Sequence, residues 1–486
     1  MKKNINPQNN EVLTTADAVP SASTWKVDES APANVKAFLQ AYYPNGLVYL
    51  HSSFLAYSSG YWQMLDDRSD VKKSVVRYFG EDALLAKVNE LFGMLKLACV
   101  VKDADFKPKA NHICFLNGVL DLTTFTLVPH SPEFHLRSGR QAVWDENAEA
   151  PTFEKFLKDV FRDDFDREEK SQFVREWMGL CLIPDTSFEK FVVCVGDGGN
   201  GKSVLLKLMP ELLGHENVYS APLQRLGNRR ALAELDGKLL LTSSEINENT
   251  VMDDGILKQI VSGDTVEGER KYEHPFTFTP FARIMLATNH LPKLRDVTHA
   301  FFRRLVMLKF NRNFTADEMD MNLPAKLKAE LAGIFTIAVS GLRTLRERGR
   351  FLVPKSSEEA ASQYREDSDV IKLFAEEALE RCDGKGMTPA GVYKLYTTWS
   401  AVFGIKTINS IALGKRLRQL GFAKTRSNGK DYWCLDMSAA GKEISTKGLL
   451  KVEAFDTESK SMPSAVVDVE SSVEDAAVVK EKRLAA

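Results

Sequence analysis

The sequence predicts an α/β nucleotide-binding core, preceded by an α+β domain and followed by a winged-helix module. Three observations carry this. "FVVCVGDGGNGKSVLLKLM" sets an apolar run, a glycine loop and a helical run in succession from Phe191. From there to Phe310, strand-like and helix-like runs alternate, as in an α/β core. Farther on, the helical runs "MTPAGVYKLYTTWS" and "SIALGKRLRQLGF" precede "AKTRSNGKDYWCLD", whose Asn428-Gly429 is a strong hairpin turn signal.

At 486 residues the chain exceeds one typical core, so several domains are expected. Residues 1–24 are polar and aperiodic and read as a disordered arm. Residues 25–145 read as the α+β domain. There Ser59-Gly60 turns a hairpin between Phe54–Tyr57 and Tyr61–Met64, "DALLAKVNELFGMLKLA" has helical spacing, and short strands surround Asn117-Gly118. Residues 146–188 hold two amphipathic helices, in "PTFEKFLKDVF" and "KSQFVREWMGLCLI", forming a collar or linker. The core is placed at 189–315. A helical segment and a charged connector, "KSSEEAASQYREDSDV", fill 316–368, and the winged-helix-like module 369–440. Residues 441–486 are acidic and Ser-rich with no helical stripe, and read as a disordered tail.

Basic and acidic residues nearly balance, 64 against 66, so no global field draws the chain onto nucleic acid. Any such contact must come from a local patch, or from one repeated by assembly. The start, "MKKNINPQNNEVLTT", lacks the apolar stretch of a signal peptide, and no run is long enough to span a bilayer. A cytoplasmic protein with no membrane partner is expected. The six cysteines are scattered without a CxxC pair, which points to free thiols rather than zinc or disulfides. Asp66-Asp67 and Asp163-Asp164 are isolated pairs, read as surface turns or helix caps. Before Asn111 no acidic triad or zinc motif suits two-metal nucleotidyl transfer, so no primase active site is expected.

The glycine loop fits GxxxxGK[ST]: Gly196, four residues, then Gly201-Lys202-Ser203. Between a strand and a helix, such a loop offers backbone N–H groups and the helix dipole to phosphates. The candidate ATP-binding residues are Gly196, Asp197, Gly198, Gly199, Asn200, Gly201, Lys202, Ser203 and Val204. Lys202 would reach the β- and γ-phosphates and Ser203 would hold Mg²⁺. An acid at the end of a second strand is also needed. In "GKLLLTSSEINEN", Lys238–Thr242 reads as that strand and Glu245 follows it, as catalytic acid with a water-mediated contact to Mg²⁺. Ser244 stands where many such sites have Asp. A third strand, in "FARIMLATNHLP", ends at Asn289, which could touch the γ-phosphate and the attacking water, or could simply form a turn before Leu291-Pro292. Arg303 and Arg304, in "HAFFRRLVMLKF", are candidates for an arginine finger reaching a neighbouring subunit's site, or for a salt-bridge pair at a strand start.

Two basic segments remain. "GDTVEGERKYEH" sets Arg270 and Lys271 next to Tyr272, a set suited to phosphate contact and base stacking, although Glu267, Glu269 and Glu273 among them leave a solvated charged loop open. Lys415, Arg416, Arg418, Lys424, Arg426 and Lys430 could hold duplex DNA at a fork, or belong to a protein–protein module.

The order of glycine loop, strand with acid, "LKQIVSGDTVEGERKYEHPFTFTP", strand ending in Asn, then Arg-Arg resembles superfamily 3 helicases, which are AAA+-like ring motors. "NGVLDL" followed by "PHSP", then "PTFEKFL", "GGNGKS", "ATNHLP" and "RR" are similar to the helicase part of the phage/plasmid primase family, related to poxvirus-type primase-helicases. The resemblance covers roughly residues 111–369. It implies ATP and Mg²⁺ as cofactors, assembly into a hexameric ring, and 3′→5′ travel on single-stranded or forked DNA. It places Lys258 through Tyr272 in the motif leading to a channel hairpin, so Lys258, Arg270, Lys271 and Tyr272 are the implied DNA contacts. It assigns catalysis to Lys202, Glu245, Asn289 and Arg303 or Arg304, and metal binding to Ser203 and Glu245. A separate primase or polymerase is an implied partner, in the cytoplasm of a host if the chain is phage-encoded. The competing readings are a nucleotide-dependent DNA-binding initiator or scaffold, and another P-loop motor.

Overall fold

The computed structural model describes residues 31–65, 70–244, 251–252, 254–289, 291–294, 299–402 and 407–446. The expected N-terminal arm, Asp66-Asp67 and Glu245 therefore lie outside the described residues. The chain divides into two units, Met1–Arg365 and Glu366–Ala486.

The first unit opens with α1 (Ala31–Tyr42) and a meander of β1 (Leu47–Leu50), β2 (Ser53–Ser58) and β3 (Tyr61–Met64). Ser59 and Gly60 both take positive φ, 53° and 88°, as a two-residue hairpin turn with the strand twist requires. Helices α2 (Lys72–Phe79) and α3 (Leu85–Ala98) follow and share a core with α1 and the meander through Phe38, Phe54, Val75, Leu91 and Leu95. A second meander is formed by β4 (His112–Phe115), β5 (Gly118–Asp121) and β6 (Thr126–Val128). Next come α4 (Pro151–Val160) and α5 (Arg167–Cys181). The turn between them corrects one expectation. Asp163 is exposed, but Asp164 is a buried partner of the fully buried Lys170 ammonium, at 2.9 Å. A buried ammonium needs such a counter-charge.

The core then runs β7 (Phe191–Val195), α6 (Lys202–Leu213), β8 (Val218–Ser220), α7 (Arg229–Ala233), β9 (Leu240–Ser244), β10 (Val251–Met252), α8 (Asp254–Ser262), β11 (Val266–Gly268), β12 (Phe276–Phe278), β13 (Arg283–Thr288), β14 (Lys293–Leu294), α9 (His299–Phe302) and β15 (Leu305–Lys309). Five of these strands form one parallel sheet in the order β15-β7-β13-β9-β8. Strands β7, β9, β13 and β15 are buried on both faces, which is why they read as largely apolar runs, while the edge strand β8 is not. Along β7, Val192 and Cys194 face a core shared with α5 and α6, while Phe191 and Val193 face another shared with α8. The acidic-strand candidate begins two residues later than its composition implies, because Lys238 still belongs to the turn.

Helices α10 (Leu323–Ala329), α11 (Leu331–Arg348) and α12 (Lys355–Asp367) follow. The last corrects the expected connector. Its charges face solvent, but Ser357, Ala360 and Tyr364 are buried, and Tyr364 donates to the Pro292 carbonyl. Small polar residues hide this inward face from a hydrophobicity reading.

The second unit contains α13 (Val370–Ala378), β16 (Leu379–Arg381), α14 (Pro389–Val402), α15 (Ser410–Gln419), β17 (Lys424–Ser427), β18 (Lys430–Trp433) and β19 (Leu435–Met437). Phe374, Tyr396, Trp399, Leu417 and Trp433 form its core. Asn428 and Gly429 take φ of 50° and 75° at the β17–β18 turn. Residues 439–446 are helical, so the expected tail from 441 begins inside a helix. The Ser438 hydroxyl accepts from the Gly441 N–H at its start, and Ile444 packs on the core.

Cys99, Cys114, Cys181 and Cys194 are buried and Cys382 and Cys434 half-buried, all as free thiols. Among the described residues, no helix is long and apolar enough to cross a membrane.

Candidate nucleotide and nucleic-acid site

Because all five sheet strands are parallel, β7, β9 and β13 end at the same edge. Ligands of open α/β sheets bind outside this carboxyl edge. The glycine loop leaves it from Val195. Gly199 and Gly201 take φ of 63° and 90°, a left-handed geometry that favours glycine. At Gly201 a Cβ would also stand 2.8 Å from Val160, so α4 closes against the loop there.

Lys202 opens α6 and is 5 % exposed. Its ammonium turns under the loop, donating to the Gly196 carbonyl and, at 3.1 Å, to Asn200 Oδ1. Burial lowers its pKa; Cys194 and Asp197 act the other way. Asn200 is buried and donates to the Phe310 carbonyl at 3.2 Å. The Phe314 N–H donates to the Gly199 carbonyl at 2.9 Å, so the segment after β15 runs along the loop and braces it. Asp197, Gly198 and Gly199 are exposed, as is Ser203 in the first turn of α6; Val204 is half-buried.

Register places Asn289. Thr288 of β13 pairs with Val195 of β7, so the exposed Asn289 follows beside the start of the loop at Gly196. On the other side of β13, Ala287 pairs with Ser244, the last residue of β9. The structure thus brings Lys202, Ser203 and Asn289 to one edge.

Arg303 and Arg304 stand at the opposite edge, just before β15. Two residues that are equal in sequence separate here. Arg304 is buried and held by Glu189 at 2.8 Å, Ser262 Oγ at 2.8 Å and the Ala300 carbonyl at 2.9 Å. Arg303 is exposed and reaches Glu189 at 3.2 Å. Neither can reach the glycine loop of its own chain from this edge.

Lys258, Arg270, Lys271 and Tyr272 also separate. Lys258 is half-buried on α8, before the hairpin β11–β12. Lys271 and Tyr272 occupy the hairpin's connection, with the Lys271 ammonium 4.8 Å above the Tyr272 ring and Tyr272 71 % exposed. Arg270 turns inward instead, to Asp236 at 3.1 Å and to the His51 carbonyl at 3.1 Å. The acids among these bases have their own cations: Glu267 meets Arg229 at 2.9 Å, Glu269 meets Arg230 at 3.7 Å and Glu273 meets Lys96 at 3.3 Å.

Sequence reasoning missed Asp236. Its side chain is 2 % exposed and meets Arg137 at 2.7 Å, His51 at 3.1 Å and Arg270 at 3.1 Å. Burial alone would raise its pKa, but Arg137 and the His51 hydrogen bond hold it well below the usual carboxylate range. The "ELDGK" string signals only a turn, and no local pattern names partners up to 185 residues away.

In the second unit, Lys415 and Arg418 are exposed on α15 near Ile411, which is 81 % exposed. Arg416 is half-buried and paired with Asp369 through Nε at 3.0 Å. Lys424 stands 4.5 Å from the Trp433 ring, and Arg426 and Lys430 lie on the same hairpin.

Two family profiles match the chain: D5 N terminal like over residues 37–162, and a family of unknown function, DUF5906, over 194–304. Curated relatives include "Putative helicase L207/L206" of Acanthamoeba polyphaga mimivirus, 26% identical over 319 residues. Others are "Putative helicase 022R" of Frog virus 3, 22% identical over 232 residues, and "Putative helicase 121R" of Invertebrate iridescent virus 3, 21% identical over 314 residues. These matches cover 59%, 42% and 56% of this chain but only 32%, 24% and 33% of the relatives. Solved structures of the NrS-1 C terminal region align with 85% of this chain and 100% of theirs at 12–13% identity, with a TM-score of 0.48.

Proposed function

Because the chain carries D5 N terminal like and DUF5906 domains, as primase-helicase proteins do, we propose that it is an ATP-dependent DNA helicase motor. The observation that carries this reading is the shared edge. Lys202 and Ser203 stand at the loop after β7, and Asn289 stands beside Gly196 at the end of the adjoining strand.

In this reading the exposed loop N–H groups and the α6 N-terminus take the phosphates. Lys202 exchanges its own loop acceptors, Gly196 O and Asn200 Oδ1, for phosphate oxygens. The exposed Ser203 hydroxyl suits Mg²⁺, which binds through one or two side chains plus substrate phosphates. Mg²⁺ would neutralise charge on the β- and γ-phosphates. Asn289 orients the attacking water, with Glu245 as its base. Arg303 serves a neighbouring copy, since it is exposed at the edge away from its own loop. Lys271 and Tyr272 take the DNA strand, by phosphate contact and stacking. A ring, hexameric in the family it resembles, repeats this small basic patch and reconciles DNA binding with a net charge of −2. The exposed bases of α15 and the β17–β18 hairpin hold duplex at the fork in a winged-helix manner.

Forked DNA carrying either a 3′ or a 5′ tail, with ATP and Mg²⁺, tests the reading. Unwinding of the 3′-tailed fork is expected, with none by Lys202→Ala. Unwinding and ATP turnover that survive in Lys202→Ala would overturn it. Assembly on DNA with ATP but no strand separation would identify an initiator or scaffold instead.

A further inference from the structure

The hairpin carrying Lys271 and Tyr272 is tied to the sheet through one buried carboxylate. Asp236 lies in the turn between α7 and β9. Oδ1 takes Arg137 Nη1 at 2.7 Å and His51 Nδ1 at 3.1 Å, and Oδ2 takes Arg270 Nη2 at 3.1 Å. Arg270 also spans to the His51 carbonyl at 3.1 Å and lies 5.3 Å from the Phe276 ring. His51 stacks on Phe276 of β12 at 5.3 Å, and its Nε2 lies 3.2 Å from Asp103 Oδ1. Three chain regions therefore meet at Asp236: the N-terminal meander with Asp103 and Arg137, the base of the hairpin, and the lead into β9. Gly237 permits this convergence, because a Cβ there would stand 2.8 Å from Arg137 Nη2.

From Asp236 the chain passes directly into β9, whose last residue, Ser244, lies at the nucleotide edge. Five strand residues span about 17 Å. The strand is buried and paired on both sides, which makes it a rigid element. One charge-assisted hydrogen bond, from Arg270 Nη2 to Asp236 Oδ2, ties the hairpin to that element's near end, and the His51 carbonyl steadies the guanidinium through Nε.

We propose that Asp236 is a positioning residue that couples the hairpin carrying Lys271 and Tyr272 to the nucleotide edge, through β9. The inference rests on the reading above, in which the glycine loop binds ATP and the hairpin binds DNA. Arg270 is then a coupling residue rather than a DNA contact. Coupling of this kind needs an element that both sites bias, and the clamped strand supplies it.

Hydrogen exchange of the full chain with a non-hydrolysable ATP analogue tests the idea. In the wild type, the analogue should slow exchange in the 196–203 peptide and shift exchange of the 266–278 peptide on the order of fivefold. Asp236→Asn should keep the loop protection and lose the hairpin response. Arg270→Lys keeps the charge but cannot span from Asp236 to the His51 carbonyl; it should show the same selective loss, and it serves if Asp236→Asn fails to fold. An undiminished hairpin response in Arg270→Lys, or in folded Asp236→Asn, would overturn the coupling while leaving the ATP reading intact. A wild-type loop that the analogue does not protect would overturn the ATP reading, and the coupling with it.

Discussion

At the carboxyl edge of the parallel sheet the candidate groups are held by neutral loop groups and strand register; at the opposite edge they are held by charge. Lys202 rests on a loop carbonyl and Asn200, and Asn289 is fixed by strand register alone. Arg304 and Arg270 are each locked to a carboxylate, Glu189 and Asp236. In the proposed reading the first edge receives a polyanion, whose binding gains from bare N–H groups and few competing carboxylates. An edge that must hold arginines in fixed directions needs carboxylate partners. Electrostatic loosening should therefore damage the two edges differently.

The largest effect is expected from Arg303. If it reaches a neighbour's triphosphate, Arg303→Ala should lower ATP turnover on the order of 10³-fold, the range of arginine fingers. Mixing it with Lys202→Ala chains should restore some turnover, because one chain then supplies the loop and the other the finger. Arg304→Ala should instead lower thermal stability, since it strips Glu189 and Ser262 of a buried partner. Mixtures without any recovery would give Arg303, like Arg304, a structural role rather than that of a finger.

Lys202→Ala comes next, with a loss of turnover on the order of 10²–10³-fold, as for removal of a preorganised charge-stabilising donor. The fold should be unchanged, because Lys202's partners are loop atoms and not another element. A matching fall in melting temperature would place Lys202 among the structural cations with Lys170.

How much of this was legible follows the same division. The glycine loop, β7 and Asn289 could be read because their signals are local: a spacing, an apolar run, a polar residue at its end. The sheet order could not, since the insertion of β13 between β7 and β9 has no local mark. Arg303 and Arg304 share one local context, and only Glu189, Ser262 and Ala300 tell them apart. Arg270 looks like Lys271 in sequence, and its pairing with Asp236 has no local mark. The inward face of α12, built on Ser357, Ala360 and Tyr364, was hidden in a charged string.

Asp236 also gives the charged edge a pH signature. Its folded pKa lies below the ordinary value, so its contribution to stability is present above about pH 3.9 and is lost as pH falls through the folded pKa. At neutral pH, Asp236→Asn should cost about 3–5 kcal/mol, the penalty for breaking a buried ion pair. The gap between variant and wild type should narrow as the medium is acidified below the carboxylate range. Denaturant melts at stepped pH would show this, and a gap constant with pH would mean that packing, not charge, holds the site.

The smallest effect concerns the hairpin tip. Tyr272 is exposed at positive φ, 68°, where a β-carbon is unfavourable, with the Lys271 ammonium 4.8 Å from its ring. Tyr272→Ala should weaken binding to single-stranded DNA by about 1–3 kcal/mol, the contribution of one stacked base. Stability should be unchanged, and Tyr272→Phe should bind as the wild type does, because stacking needs the ring and not the hydroxyl. Fluorescence anisotropy with a labelled oligonucleotide reads the difference directly. If Tyr272→Phe were as weak as Tyr272→Ala, the hydroxyl would carry the contact and the hairpin would meet DNA by hydrogen bonding rather than stacking.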